Sequence, residues 1–221
     1  MTDLPVSLFP VWAQLLASTG SVLCLLLIVW RLPLAWLKQA QNQHLLLGAT
    51  VAVLLIWAFR AGISPGLSIH FLGVTSLTLI FGWRLALLSL AVVCVGMVLA
   101  GKETWASLGI VYLVSAVAPV ALNWGLYQWV KRRLPKHLFV YLFVTVFAAA
   151  ALVSITVTVL MSLVMIGLGI YSFDQIAYEY LSFIPLIALP EAVLNGFVMT
   201  GLVILRPAWV TTYDEALYLG H

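Results

Sequence analysis

Charged side chains are scarce in this chain: they make up 8% of its 221 residues, ten Lys or Arg against seven Asp or Glu. That is about a third of the ~25% an ordinary soluble domain carries, too little to clothe a water-facing surface of this size. Cysteine is nearly absent as well. Cys24 and Cys94 lie in apolar stretches with no CxxC or CxxH spacing, which excludes a disulfide scaffold and a thiolate metal site and leaves two small buried hydrophobes. There is no GxxxxGK[ST] loop to cradle a nucleotide, no HExxH and no GxSxG, so the chain lacks the usual means of ATP hydrolysis and of zinc or serine hydrolase chemistry. Of four histidines, His44, His137 and His221 flank basic loops or the terminus. No enzyme and no intrinsic cofactor are expected.

What the chain has in abundance is apolar. Hydrophobic residues are 64% of the total and the mean hydropathy is +1.16, which reads as an all-α integral membrane protein. A spanning helix needs about 20 mostly apolar residues. Seven stretches are long enough to span or nearly so: Val11 to Trp30, Leu45 to Trp57, Leu67 to Gly82, Leu85 to Ala100, Trp105 to Val130, Phe139 to Ile170 and Tyr178 to Leu205. Connections are short throughout, so residues 1–221 form one polytopic domain. The start, MTDLPVSLFP, is acidic and has no cleavage signature, so the N-terminus is expected to stay in the mature protein.

Basic residues orient the model. With the N-terminus outside, eight of the ten fall on one side: Arg31, Lys38, Arg84, the KRRLPK loop with Lys131, Arg132, Arg133 and Lys136, and Arg206. Lys and Arg in short loops resist translocation, so that side and the C-terminus are cytoplasmic. Topology thus accounts for the net charge of +3 with no nucleic-acid partner. The lipid bilayer is the expected surrounding, a bacterial-type inner membrane the expected location, and the tryptophans gather near span ends as an interfacial belt.

Polar groups at membrane depth are costly and so point to function. His70 stands about four residues inside the third span, roughly 6 Å deep at the helical rise, after the helix-breaking AGISPG. Irregular backbone at that depth is tolerated where it is buried in protein or lines a wet cavity, and imidazole is the commonest transition-metal ligand. The plain alternative is that His70 hydrogen-bonds its own loop. Glu191 lies about thirteen residues, roughly 20 Å, down the last span, between Pro190 and Asn195. Asn195 shares its helical face. Glu191 and Asn195 are thus either part of a substrate path or a strut to a neighbour such as Asn123. Met161 and Met165 share a face but are ordinary packing residues, and FAAAALVSITVT reads as a close-packing surface.

The run GLSIHFLGVTSLTLIFGWRLALL, with its Ser-x-His-x-x-Gly from Ser68 to Gly73, resembles the signature region of the cobalt and nickel substrate-capture permeases of energy-coupling-factor transporters. IPLIALPEAVLNGFVMTGLVILRPAWV is similar to that family's last helix, and LPVSLFPVW to its opening segment. Residues Lys102 to Tyr178 carry none of these motifs. The resemblance implies a metal held by the free N-terminal amine, a histidine after the initiator methionine and the histidine of the Ser-x-His motif. The last carries over to His70, with Ser68 beside it. Aligning Pro5 with the family's proline puts Asp3 where the N-terminal histidine belongs and Thr2 where the methionine belongs. Thr2 is small enough for Met1 to be removed, so Thr2 offers an amine and Asp3 a carboxylate. Imidazole with amine suits nickel or cobalt, whereas a carboxylate in place of one nitrogen admits manganese, zinc or no metal at all. The implied function is capture of a divalent metal ion as substrate, with Glu191 and Asn195 as support or path. Energy then comes from a separate transmembrane coupling protein and ATPase subunits. A permease for another small solute on this scaffold, or a non-transporting assembly subunit, are the alternatives.

Overall fold

The computed structural model describes residues 9–62, 64 and 67–218, with Ser68 described by its backbone alone. Six helices are long and apolar enough to cross a membrane, and the protein is a multi-pass membrane protein. They are α1 (Val11–Trp30), α3 (Ala40–Ala58), α4 (Val74–Leu99), α5 (Leu108–Arg133), α6 (Leu138–Gly167), and α7 (Phe173–Glu179) continuing into α8 (Ile184–Leu205). A short helix, α2 (Leu34–Leu37), joins α1 to α3. Two strands, β1 (Ala61–Gly62) and β2 (Ser68–Ile69), pair antiparallel in the loop that follows α3.

Helix α3 starts earlier than hydropathy suggests, because the polar start AQNQH is still helical. The Asn42 and Gln43 amides donate to the Trp36 and Leu37 carbonyls at 3.0 and 2.7 Å. Those are carbonyls at the end of α2, which have no partner within their own helix. Pro185 sits in the first turn of α8, where its missing N–H costs nothing. Pro190 lies inside α8, and the helix continues through it. Helices α5 and α6 each widen into a π-helical stretch, at Leu113–Val117 and Tyr141–Ala148.

Helix α4 is two limbs. Gly82 has φ 76° and ψ 164°, a conformation essentially confined to glycine. Contacts with α3 show that the chain reverses there. Near the end of α3, Trp57 Nε1 donates to the Leu72 carbonyl at 2.9 Å, while Trp36, just before α3, packs edge-on against Phe81. Residues 74–81 therefore run antiparallel to α3. Thr50 bonds Ser89 at 3.0 Å and Arg60 pairs with Glu103 at 2.9 Å, so residues 83–99 run parallel to it. The break falls where the separate stretches Leu67–Gly82 and Leu85–Ala100 part, but helix in the first begins only at Val74. Residues 67–73 are loop and strand, so His70 lies in the loop before the helix and not four residues inside a span, and six helices, not seven, are of membrane-crossing length among the described residues.

The first limb is the centre of the molecule. Every residue of 74–81 is buried, yet its length is only about 12 Å at 1.5 Å per residue. Helix α4 as a whole packs against α1, α3, α5, α6 and α8, and α1 also packs against α5. That last contact is close: a Cβ at Gly109 would lie 2.6 Å from the Ser18 nitrogen. Cys24 and Cys94 are free, and Met97, Met161, Met165 and Met199 are core residues.

Candidate functional site

The ends of the short limb decide the geometry of the site. A helix start leaves N–H groups unpaired, and in an apolar interior each must find an acceptor. Here α8 supplies them. Glu191 accepts from Leu72 N through Oε2 and from Gly73 N through Oε1, both at 2.8 Å. Asn195 Oδ1 accepts from Ser76 N at 2.8 Å and from Ser76 Oγ at 2.7 Å, and its Nδ2 donates to Glu191 Oε1 at 2.8 Å. Both residues are 1% exposed. A carboxylate at a helix N-terminus is also favoured by the helix dipole. From α5, Asn123 Nδ2 donates to Thr75 Oγ1 at 3.2 Å, so Asn123 serves the same limb and is not the partner of Glu191.

The opposite end of the limb is closed by the segment after α8. Thr211 N donates to the Ile80 carbonyl at 3.0 Å and Thr212 Oγ1 to the Leu79 carbonyl at 2.7 Å. Tyr127 and Tyr141 hold Thr212 in turn, at 3.3 and 2.8 Å.

Above the limb, the loop from Phe59 to Gly73 carries His70. Ala61 pairs with Ile69, Ser64 Oγ donates to Glu179 at 2.6 Å, and Arg60 reaches both Glu103 and the Lys102 carbonyl. His70 is 8% exposed, with its ring 5.0 Å from that of Trp57. Its Nδ1 lies 3.0 Å from the Phe71 carbonyl. A carbonyl only accepts, so the proton sits on Nδ1 and the lone pair on Nε2. That tautomer, fixed by a backbone acceptor, is the form that ligates metal ions.

Two spaces meet at the imidazole. One is a cavity with room for about a single water molecule, lined by Ile69, His70, Leu72, Ser154, Thr158 and Tyr180 among others. The other is an open groove bounded by Ala58, Arg60, Phe71 and Leu186. Ser154 and Thr158 come from the run read from sequence as a packing surface alone. Their spacing of four on one helical face was the available signal. Tyr180, hydrogen-bonded to Thr158, and Trp57 had none.

Of the residues singled out from sequence, Glu191 anchors the end of the loop that carries His70, and Asn195 binds Glu191 and the first turn of the limb at Ser76. Ser68 contributes backbone to β2. Thr2 and Asp3 lie outside the described residues. Among the described residues no group of three or more His, Cys, Asp or Glu side chains is placed to hold a metal ion.

Two solved structures share this fold. One, described as a transition metal transporter, superposes with a TM-score of 0.70 at 14% identity, covering 93% of this chain and 92% of the other. A second, described as a truncated transition metal transporter, gives 0.69 at 15% identity, with 91% and 98% covered. No curated protein sequence matches. The model of one family, CbiM, the cobalt uptake substrate-specific transmembrane region, matches residues 3–209, nearly the whole length, and the chain belongs to that family.

Proposed function

We propose that this protein is the substrate-capture subunit of an energy-coupling-factor type transporter for a divalent transition metal ion of the nickel and cobalt class. It sits in a bacterial inner membrane and is energised by a separate coupling protein and ATPase chains. The observation that carries the reading is the His70 loop: an imidazole whose Nδ1 is held by the Phe71 carbonyl, leaving the lone pair on Nε2, in a loop anchored by the Glu191 carboxylate of α8, at the foot of an open groove. Membership of a cobalt-uptake family supports the cargo.

Counting residues 67–81 as a crossing gives seven, with the N-terminus outside and the C-terminus in the cytoplasm. Support comes from the chain reversal at Gly82 and from the positive charge. Arg60 and Lys102 lie at the His70 end, and the other eight basic residues lie at the opposite end. Cations concentrate on the cytoplasmic side of membrane proteins.

His70 alone cannot complete a coordination shell, and metal sites of this class need several N or O donors. The N-terminal amine of Thr2 and the Asp3 carboxylate are the candidate co-ligands, with Glu191 and Asn195 holding the loop behind His70. Elemental analysis of protein purified without chelator or affinity metal, beside a folded His70→Ala variant, tests this. A near-stoichiometric metal lost in the variant is expected. No metal in either, after loading with nickel, cobalt, zinc and manganese, overturns the metal reading and favours a small organic solute.

A further inference from the structure

A lateral groove of about 840 Å³ runs along the bundle between α3 and α8. Its walls include Gly48 and Ala52 on α3 and Val198 and Leu202 on α8, and its floor includes Leu77 and Ile80 of the short limb. Its apolar lining follows α3 from Leu45 to Ile56, about 17 Å at the helical rise. One leaflet of a bilayer contributes about 15 Å of hydrocarbon. Water gains too few hydrogen bonds in such a space to remain there, so within a membrane the groove is filled by something apolar.

Its two ends differ. Toward Gly73 it finishes against the hydrogen-bonded Ser76 and Asn195. At the other end stand Gln41, His44 and Trp209. The Arg206 guanidinium lies 5.9 Å from the Trp209 ring centre and is exposed. An apolar slot about one leaflet deep, with a cation, an amide and an imidazole at its mouth, matches one occupant in both length and charge.

We propose that the groove is a lipid-binding site: one acyl chain of an anionic phospholipid lies against the short limb, and its phosphate is held by Arg206, His44 and Gln41. The lipid completes the packing of the element whose far end carries the His70 loop. The proposal does not depend on the identity of the cargo.

Gly48 gives a clean test, because a Cβ added there meets no atom within 4 Å. Because Gly48 lines the groove, the side chain of Gly48→Trp is expected to fill it in place of an acyl chain. Three proteins are compared: wild type, Gly48→Trp and Arg206→Gln. Each is reconstituted in nanodiscs of phosphatidylcholine with a minority of phosphatidylglycerol, released into mild detergent and examined by native mass spectrometry. Wild type is expected to retain one phospholipid, enriched in phosphatidylglycerol over the bulk. Gly48→Trp is expected to lose at least tenfold of that occupancy while still folding, and Arg206→Gln to keep a lipid but lose the enrichment. Equal retention by wild type and Gly48→Trp overturns the site. Unbiased retention by wild type overturns the headgroup assignment. A partner's transmembrane helix cross-linking to a photoreactive residue at position 52, to the exclusion of lipid, assigns the groove to protein instead.

Discussion

Replacing Glu191 by glutamine tests the central structural argument, because it keeps the shape and exchanges one acceptor for a donor. Three donors converge on the two carboxylate oxygens: Leu72 N, Gly73 N and Asn195 Nδ2. In Glu191→Gln the amide nitrogen faces a donor wherever it points, leaving one buried N–H without an acceptor. An unpaired buried donor costs about 1–3 kcal/mol. Counting instead from hydrogen bonds within bilayers, about 0.6 kcal/mol each, the three together reach a similar figure of about 2 kcal/mol. That is roughly a 30-fold fall in the folded-to-unfolded ratio. Reversible unfolding in mixed micelles reads this directly, and metal content of the folded fraction reads the site. We expect a loss of about 2 kcal/mol together with weakened metal retention, although His70 is untouched. Stability within about 0.5 kcal/mol of wild type would refute the clamp. Normal stability and metal content with lost transport would make Glu191 a station on the path.

Gly82→Ala forces a side chain onto φ 76° and is expected to cost about 1–3 kcal/mol, read as a lowered unfolding midpoint. Gly125→Ala, where an added Cβ meets nothing, should be neutral beside it. Trp57→Phe removes the donor to the Leu72 carbonyl and should cost about 1 kcal/mol in the same assay. Thr212→Val leaves the Leu79 carbonyl and the Tyr141 hydroxyl without their partner; a loss of about 1–2 kcal/mol is expected, with faster proteolysis of the segment after Arg206.

The six long helices were legible because hydrophobic runs of bilayer length have few other readings. The reversal at Gly82 was legible for the same reason, since the apolar run from Leu67 to Ala100 is too long for one crossing. Glu191 beside Asn195 followed from their spacing. The partners of Glu191 did not, since they are main-chain amides 118 and 119 residues away and every residue but proline has one. Asn123, offered as an example of a strut partner for Glu191, bonds Thr75 instead: a buried amide must be satisfied, but sequence does not say by which of several hydroxyls or carboxylates. The groove over the short limb left no sequence signature, because its lining residues are those of any helix in lipid.

The short limb's tethers also set an order of assembly. Residues 74–81 leave the ribosome early, but the groups that satisfy their ends arrive with Glu191, Asn195, Thr211 and Thr212, the last bond closing a separation of 133 residues. Until then the limb is about 12 Å of helix with bare amides at one end and bare carbonyls at the other, in a medium that offers neither water nor acceptors. Contacts this distant in sequence form slowly, because chain entropy is lost before they are made. The His70 loop is therefore anchored only once the last helix has brought Glu191, and the far end of the limb is closed only after the tail has folded back beneath it. A chain cut off after Arg206 would keep the anchor of the His70 loop and leave the Leu79 and Ile80 carbonyls bare.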